Sequence, residues 1–343
     1  MGDILHALPA VTALRQAHPS WIIDWVVEPC WRALLAAEGS TGRGPAQPLV
    51  DHLHFAATKQ WRKALTSRQT LHEIKALRTA LRAGRYNVVL DLQGAIRSAV
   101  VARLAGCRRR IGEAKPRERE AGWFFTEHVA THGAHVIEQD VELAAAIAGD
   151  DLTPVAPLLP IDPAAEAWAD KILPPADSLS QHRQPAVLIS PGAGWGAKRW
   201  PAERYGVVAH GLIERGCRVL VNIGPGEEPL AEAIARDTGG AATPLSCSLA
   251  QLIAITRRVD LALAGDTGPL HLACALGRSV VGIYGPTDPS RNGPFGTRFK
   301  VLRSAQSRRD HTRRAAPEAG LLTILPDEVL RAADALLYSE TAL

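Results

Sequence analysis

Short apolar runs alternate with amphipathic segments along most of the chain. Runs at Ile22–Val27, Val50–Phe55, Asn87–Asp91, Val187–Ser190, Arg218–Ile223, Asp260–Ala264 and Val280–Tyr284 read as strands. Between them, apolar residues recur at helical spacing over Leu71–Ala83, Ile96–Leu104, His135–Ala148, Ala202–Arg215, Glu228–Asp237 and His271–Leu276. Strand, helix, strand in repeated order predicts parallel sheets with crossover helices, an α/β chain. The stretch Asp150–Pro185 carries seven prolines and little strand character. With one helix near Ala164–Ile172, it reads as the junction between two doubly wound domains. A last helix, Pro326–Leu337, opens on a proline whose missing N–H costs nothing there. The opening Met1-Gly2-Asp3-Ile4-Leu5-His6 reads as a loop entering a helix, where a domain of this kind should begin with a strand.

Composition narrows the class. The 343 residues are 46% apolar and 22% charged, enough for two cores and unlike a disordered or fibrous chain. No apolar stretch approaches the ~20 residues of a membrane helix, and no charged-then-apolar leader is read at the start. The five cysteines are scattered without a CxxC pair, which argues against a disulfide framework or a thiolate zinc site and for a reducing cytoplasm. Charge is uneven: Lys59–Arg119 holds 16 Lys and Arg against four acids, a net of +12 in a chain whose total is +4. Such polarity suits an anionic partner or a solvated surface. Arg78, Arg82 and Arg85 read as decoration of a helix face. Lys59–Arg62–Lys63 and Arg108–Arg109–Arg110 fall beside expected loops, where anion contacts and plain solvation weigh evenly.

Chemistry concentrates at strand ends. In Ser190-Pro191-Gly192-Ala193-Gly194-Trp195-Gly196-Ala197-Lys198, residues Gly192, Gly194 and Ala197 formally fit a dinucleotide fingerprint, with Glu214 as the acid beyond. Pro201, however, is expected at the first helical position, so the glycines stand well ahead of the helix and present Lys198 on a loop. That arrangement suits a phosphorylated ligand held by backbone N–H groups and a point charge; a plain glycine turn is the alternative. Gly265-Asp266-Thr267-Gly268-Pro269-Leu270-His271 follows another strand, and Asp266 or Thr267 can cap the next helix, whose start offers N–H groups to an anion. Gly285-Pro286-Thr287-Asp288-Pro289 and Gly224-Pro225-Gly226-Glu227-Glu228 end two further strands. Four such loops in one half of the chain describe a nucleotide-diphosphate site. Asp3, with His6, gains meaning only as a carboxylate across a cleft from that site, where a general base belongs. His128, His132 and His135 have no completing ligand, so no metal is read there.

Three segments then carry a resemblance: Gly2-Asp3-Ile4-Leu5-His6-Ala7-Leu8-Pro9, Gly265-Asp266-Thr267-Gly268-Pro269-Leu270-His271-Leu272-Ala273 and Ile283-Tyr284-Gly285-Pro286-Thr287-Asp288-Pro289. Over essentially the full chain the sequence resembles glycosyltransferase family 9, the lipopolysaccharide heptosyltransferases. It is most similar to the type I branch through Asp24-Trp25-Val26-Val27-Glu28, Trp61-Arg62-Lys63-Ala64 and Asp91-Leu92-Gln93-Gly94 followed by Arg97-Ser98-Ala99. The resemblance implies a GT-B fold: two Rossmann-like domains facing across a cleft, 1–155 for the acceptor and 156–343 for the nucleotide sugar. It implies inverting transfer from ADP-L-glycero-D-manno-heptose to the first Kdo of Kdo-lipid A, with no cofactor, metal or nucleic acid, in the cytoplasm and peripherally at the inner membrane. Asp3 would be the catalytic base and Lys198 would neutralise the diphosphate. Gly192, Gly194, Glu228 (or Glu227), Asp266, Thr267, Gly268 and His271 would hold the donor, and His6, Arg62, Lys63, Arg97 and Arg117 the acceptor.

The family places a strand and a Ser-containing loop before Gly-Asp. The resulting expectation is that Met1 is an internal methionine of a longer product and that the first strand of the N-terminal sheet is missing here. The tail His311-Thr312-Arg313-Arg314 lacks the Cys-rich segment of some relatives, and the loop Gly192-Ala193-Gly194-Trp195-Gly196 departs from the family form, so donor selectivity is expected to differ. Two rival readings stand beside this one: an NAD-dependent oxidoreductase using Gly192–Ala197, and a non-catalytic GT-B protein that binds an anionic glycolipid.

Overall fold

The computed structural model describes residues 1–174, 184–310, 312 and 314–338. Pro175 of the proline-rich junction, and His311 and Arg313 of the tail, lie outside the described residues. The chain divides into two compact units that part between Ile161 and Asp162.

The first unit runs α1 (Gly2–Ala17), β1 (Asp24–Val27), β2 (His52–Phe55), α2 (Thr58–Trp61), α3 (Arg68–Ala83), β3 (Val88–Asp91), α4 (Ile96–Leu104), β4 (Arg109–Glu113), β5 (Glu127–Val129) and α5 (Val136–Ala148). The opening loop expected from sequence is absent: α1 begins at Gly2. Asp3 sits in its first turn, where a carboxylate complements the helix dipole. The helix persists through Pro9 because the whole run Leu5–Arg15 is buried, and packing outweighs one lost backbone bond. The strands form two parallel sheets, β1-β2 and β3-β4-β5.

Core clusters show how these strands are layered. Ile23 and Leu90 pack with Ala10 and Leu14 of α1 and Val141 and Ala144 of α5. Val26 and Val89 pack with Leu77 and Leu81 of α3 and Ala105 beyond α4. Neighbouring residues of one strand point to opposite faces, so both sheets lie between the same two helix layers. A cavity of about 430 Å³ runs along the strands, lined by all of β1 and β3 and by Ile4, Ala7, Val11 and Leu14 of α1.

The second unit runs α6 (Pro163–Ile172), β6 (Ala186–Ser190), α7 (Ala202–Glu214), β7 (Arg218–Ile223), α8 (Glu228–Asp237), β8 (Thr243–Ser246), α9 (Leu249–Thr256), β9 (Leu261–Gly265), α10 (Gly268–Ala275), β10 (Ser279–Tyr284), α11 (Pro289–Asn292), β11 (Phe299–Arg303) and α12 (Pro326–Leu337). Its parallel six-stranded sheet has the order β11-β10-β9-β6-β7-β8. Strands β6 and β9 are fully buried along their length, as expected for a parallel sheet covered on both faces. Asp162 caps α6 by accepting from the N–H groups of Ala164 and Ala165. Glu166 of α6 then takes both Arg257 and Arg258 at 2.5 Å, pinning the helix to the end of α9. Winding reverses between β6 and β9, and the crevice at the carboxyl ends of two such strands is where open α/β sheets bind ligands.

Strands β4, β5, β8 and β11, helix α9 and the one-turn helices α2 and α11 were not expected. The four strands read as polar or carry a proline, because most of their positions stay exposed or half-buried. Arg109 and Arg110, expected beside a loop, lie on β4. Arg109 pairs with Glu127 on β5 at 2.8 Å, while Arg110 donates to the carbonyls of Cys107 and Phe124. These two are structural.

Candidate active site

The loop after β6 is built on a close backbone approach. A Cβ on Gly196 would lie 1.6 Å from the Ala315 carbonyl oxygen, so only glycine lets segment 314–318 seat against the loop. Ala197 then donates its N–H to the Arg314 carbonyl and accepts from Glu318 N–H. A 3₁₀ turn over Gly196–Lys198 follows, and α7 starts only at Ala202, after Pro201. Pro201 thus occupies the cap position rather than the first turn. The loop stands ahead of the helix, as its sequence implies.

Lys198 is presented toward the end of β9. Its ammonium is ion-paired with Asp266 Oδ2 and lies 4.3 Å from the centre of the Trp195 ring. Both charged side chains are 12% exposed. His271 Nε2 sits 3.3 Å from the other carboxylate oxygen. Burial alone would raise the Asp266 carboxyl, but the bond from His271 and the charge of Lys198 outweigh it and hold the group well below the usual carboxylate range. Asp266 is therefore an anion. It is unsuited to touching a diphosphate directly and suited to aiming Lys198 and His271.

Helix α10 begins beside this cluster with Thr267 as its cap residue, but no side chain caps it. The Thr267 hydroxyl turns back to the Gly265 carbonyl at 3.3 Å, contrary to the capping bond expected of Thr267 or Asp266. The first N–H groups of α10 thus meet no capping side chain, and with the dipole they favour an anion. Glu227 and Glu228 end the loop after β7. Glu227 accepts from Gly224 N–H at 2.8 Å and occupies the space in front of Gly192, where a Cβ would come within 1.9 Å of its carboxylate. Glu228 is exposed and accepts from Gly226 N–H at 3.3 Å. Glu227 is thus the carboxylate beside the glycine loop, and Gly192 is needed to admit it. Gly194 is exposed with open space around it.

Two hydroxyls absent from the expected site sit near the same rim. Tyr284 Oη and Thr287 Oγ1, at and after the end of β10, are buried without a hydrogen-bond partner among the described residues. Arg303 fixes their loop by donating to the Gly285 and Thr287 carbonyls. The glycine-proline loop marked the rim, but no local pattern in sequence distinguishes an orphaned hydroxyl from a satisfied one. The oxidoreductase reading fails here. The glycines do not open a helix, and its supposed acid, Glu214, lies at the far end of α7, paired with His210 at 3.3 Å.

In the first unit a second set of side chains converges. Asp91 Oδ1 accepts from Gln93 N, Gly94 N and Ser98 Oγ, closing the turn into α4. Gly94 adopts φ +61°, and a Cβ there would meet Arg117 N at 2.9 Å. Glycine thus admits the bend after β4 that carries Arg117. Asp3 Oδ2 accepts from Gln93 Nε2 at 2.8 Å and lies 3.6 Å from Arg117 Nη1, while Arg97 donates to Gln93 Oε1 at 3.3 Å. Asp3 remains 48% exposed. The structure therefore joins Asp3, Arg97 and Arg117, with Gln93 as the unforeseen link. It does not bring Arg62 or Lys63 into this chain of bonds: both are exposed past the end of α2, and of that cluster Lys59 lines the same cavity as Asp3. His6, expected to face the acceptor, is buried edge-on to His135 at 5.9 Å, because a helix starting at Gly2 turns position 6 inward. Among the described residues no three His, Cys, Asp or Glu side chains group as metal ligands.

Residues 74–321 match the family model for glycosyltransferase family 9 (heptosyltransferase). The chain is 31% identical over 314 residues to lipopolysaccharide heptosyltransferase 1 of Escherichia coli strain K12, covering 89% of this chain and 91% of that protein. It is 29% identical over 300 residues to the Pseudomonas aeruginosa protein of the same name, covering 86% and 79%. The solved structure of E. coli heptosyltransferase WaaC with ADP superimposes with a TM-score of 0.78 at 27% identity, over 98% of this chain and 97% of that one. With parallel sheets, glycine loop and helix-start motif all in place, the chain belongs to glycosyltransferase family 9, the heptosyltransferases, and has the α/β fold of its GT-B members.

Proposed function

We propose that this protein transfers L-glycero-D-manno-heptose from ADP-heptose to the Kdo sugar of Kdo-lipid A, with inversion at the anomeric carbon, at the cytosolic face of the inner membrane. The second unit holds the donor. Departure of ADP loads charge onto the diphosphate, which Lys198 and the N–H groups at the start of α10 stabilise. Asp266 stays ionised and orients Lys198 and His271, Thr267 and Gly268 border the same start, and Glu227 offers acceptor oxygens for ribose hydroxyls. The first unit holds the acceptor: Asp3 takes the proton of the attacking hydroxyl, while Arg97 and Arg117 meet its carboxylate and phosphate groups. Alignment of two bound sugars supplies much of the rate.

The observation that carries this reading is the Lys198–Asp266–His271 cluster at the β6–β9 switch point, in a chain whose relatives are named lipopolysaccharide heptosyltransferases and include one solved with ADP. The test is incubation with ADP-heptose and Kdo-lipid A, following ADP release and the anomeric configuration of the product. ADP formed only when both are present, with an inverted linkage, is the expected result. Binding of Kdo-lipid A without turnover would instead favour a glycolipid-binding protein.

A further inference from the structure

In the first unit one helix layer consists of α3, α4 and a 3₁₀ turn over Arg119–Phe124. Helix α4 lies between the other two: Val101 and Leu104 pack with Leu77 and Leu81 of α3, and Ala99 packs with Ala121 of the turn. The outer side of this layer has a different character. Arg68, Leu71, Lys75, Arg78 and Arg82 recur every three or four residues, so they form one stripe of α3, and all five are exposed. A Cβ on Gly106, just past α4, would stand 3.3 Å from Arg82 Nε, which puts the stripe on the α4 side of α3. On α4 itself Ile96, Val100 and Arg103 are exposed at the same kind of spacing.

Among the described residues, the side chains of Arg68, Lys75, Arg78, Arg82 and Arg103 form no ion pair or hydrogen bond. Glu73, the one acid of α3, is turned toward α2 and accepts from Trp61 Nε1 at 2.6 Å, and α4 has no acid at all. Large apolar side chains stand beside these cations. Leu71 is 56% exposed, Leu65 just ahead of α3 is 61% exposed, and Trp123 in the turn beside α4 is 78% exposed. Nucleic acid or an acidic peptide would meet the cations and leave the leucines and Trp123 in water. An anionic bilayer meets both, since lipid phosphates take the cations while leucine and tryptophan enter the headgroup layer.

We propose that the α3–α4 face is a docking surface for an anionic phospholipid bilayer, with the arginine and lysine stripe at the phosphates and Leu65, Leu71 and Trp123 as its apolar anchors. The proposal rests on the transfer reading above, which supplies a lipid-linked acceptor for the first unit. The first turn of α4 also carries Arg97, joined through Gln93 to Asp3, so the face adjoins the carboxylate that would receive the acceptor's proton. Attraction to the bilayer then concentrates the enzyme where its acceptor is embedded.

The probe is a vesicle of phosphatidylethanolamine with about 30% phosphatidylglycerol, free of Kdo-lipid A and sedimented with the full chain. Expected is binding at least about tenfold tighter than to phosphatidylcholine vesicles, and released by about 0.5 M salt. Lys75→Glu with Arg78→Glu should weaken it at least about tenfold, since each cation at an anionic surface is worth roughly fivefold. Trp123→Ser should weaken it about three- to tenfold. With a deacylated, water-soluble acceptor the double variant should keep kcat/KM within about twofold of the parent, while its KM for Kdo-lipid A in vesicles rises at least about fivefold. No binding, equal binding to both vesicle types, parent-like binding by the double variant, or binding only when Kdo-lipid A is present would each overturn the proposal. Lipid binding as expected by a chain that transfers no heptose would leave this surface standing and count against the transfer reading alone.

Discussion

At Asp266 two donors, Lys198 and His271, meet one carboxylate. Its folded-state pKa is depressed by His271 and Lys198 against the pull of burial, so the group stabilises the fold above the unfolded carboxylate value. That contribution is lost as pH falls from about 4 toward the much lower folded value. Asp266→Asn should therefore cost on the order of 3 kcal/mol near neutrality, because it leaves a buried ammonium unpaired. Urea titrations should show the gap between parent and variant constant from pH 8 to about 5 and narrowing below about 4; a gap unchanged at pH 3 would contradict the pairing. Asp3 is a different kind of residue, exposed and held by Gln93 and Arg117. Asp3→Asn should lower kcat about 10²- to 10⁴-fold while ADP affinity by calorimetry stays within about twofold. Lys198→Ala should lower kcat about 10²- to 10³-fold, more than it raises KM for the acceptor. An Asp3→Asn enzyme as active as the parent would remove Asp3 from the mechanism.

At the scale of elements, the glycine loop shows how one pattern carries unlike constraints. Gly194 faces open space, whereas Gly196 lies against the Ala315 backbone and Gly192 against Glu227. Gly194→Ala should be nearly neutral in a urea unfolding series. Gly196→Ala must displace segment 314–318 and should cost roughly 1–3 kcal/mol. Equal midpoints for the two variants would mean that this segment does not seat on the loop. The glycines and the strand before them were legible as a phosphate-type loop. Which glycine meets backbone and which meets solvent was not, because segment 314–318 is far away in sequence. The same holds for β4: its arginines looked like loop cations until Glu127, on a neighbouring strand, took one of them.

For the whole molecule, the two units differ in what their sheets bury. The second has one six-stranded sheet around a fully buried β6, and the first has two smaller sheets beside a 430 Å³ cavity. Calorimetry should resolve two transitions, the first unit melting at the lower temperature. ADP at 100 times its dissociation constant should stabilise only the later one, by about 2.7 kcal/mol. A single transition, or an ADP shift of the earlier one, would place the ligand or the weak point elsewhere.

Local patterning alone determined the α/β class, the buried central strands, the glycine loop with Lys198, the start of α10 and the family, because each rests on residues close together in the chain. Tertiary structure decided the rest: that Asp266 serves Lys198, that Glu227 rather than Glu228 fronts the loop, that His6 turns inward, that Gln93 links Asp3 to Arg97, and that two sheet edges border a cavity. Each of these joins residues from different elements, or depends on a helix start that sets which way a side chain points. Such pairings are chosen by packing and by the cost of leaving buried polar groups unmatched, and neither leaves a period or a spacing in the sequence.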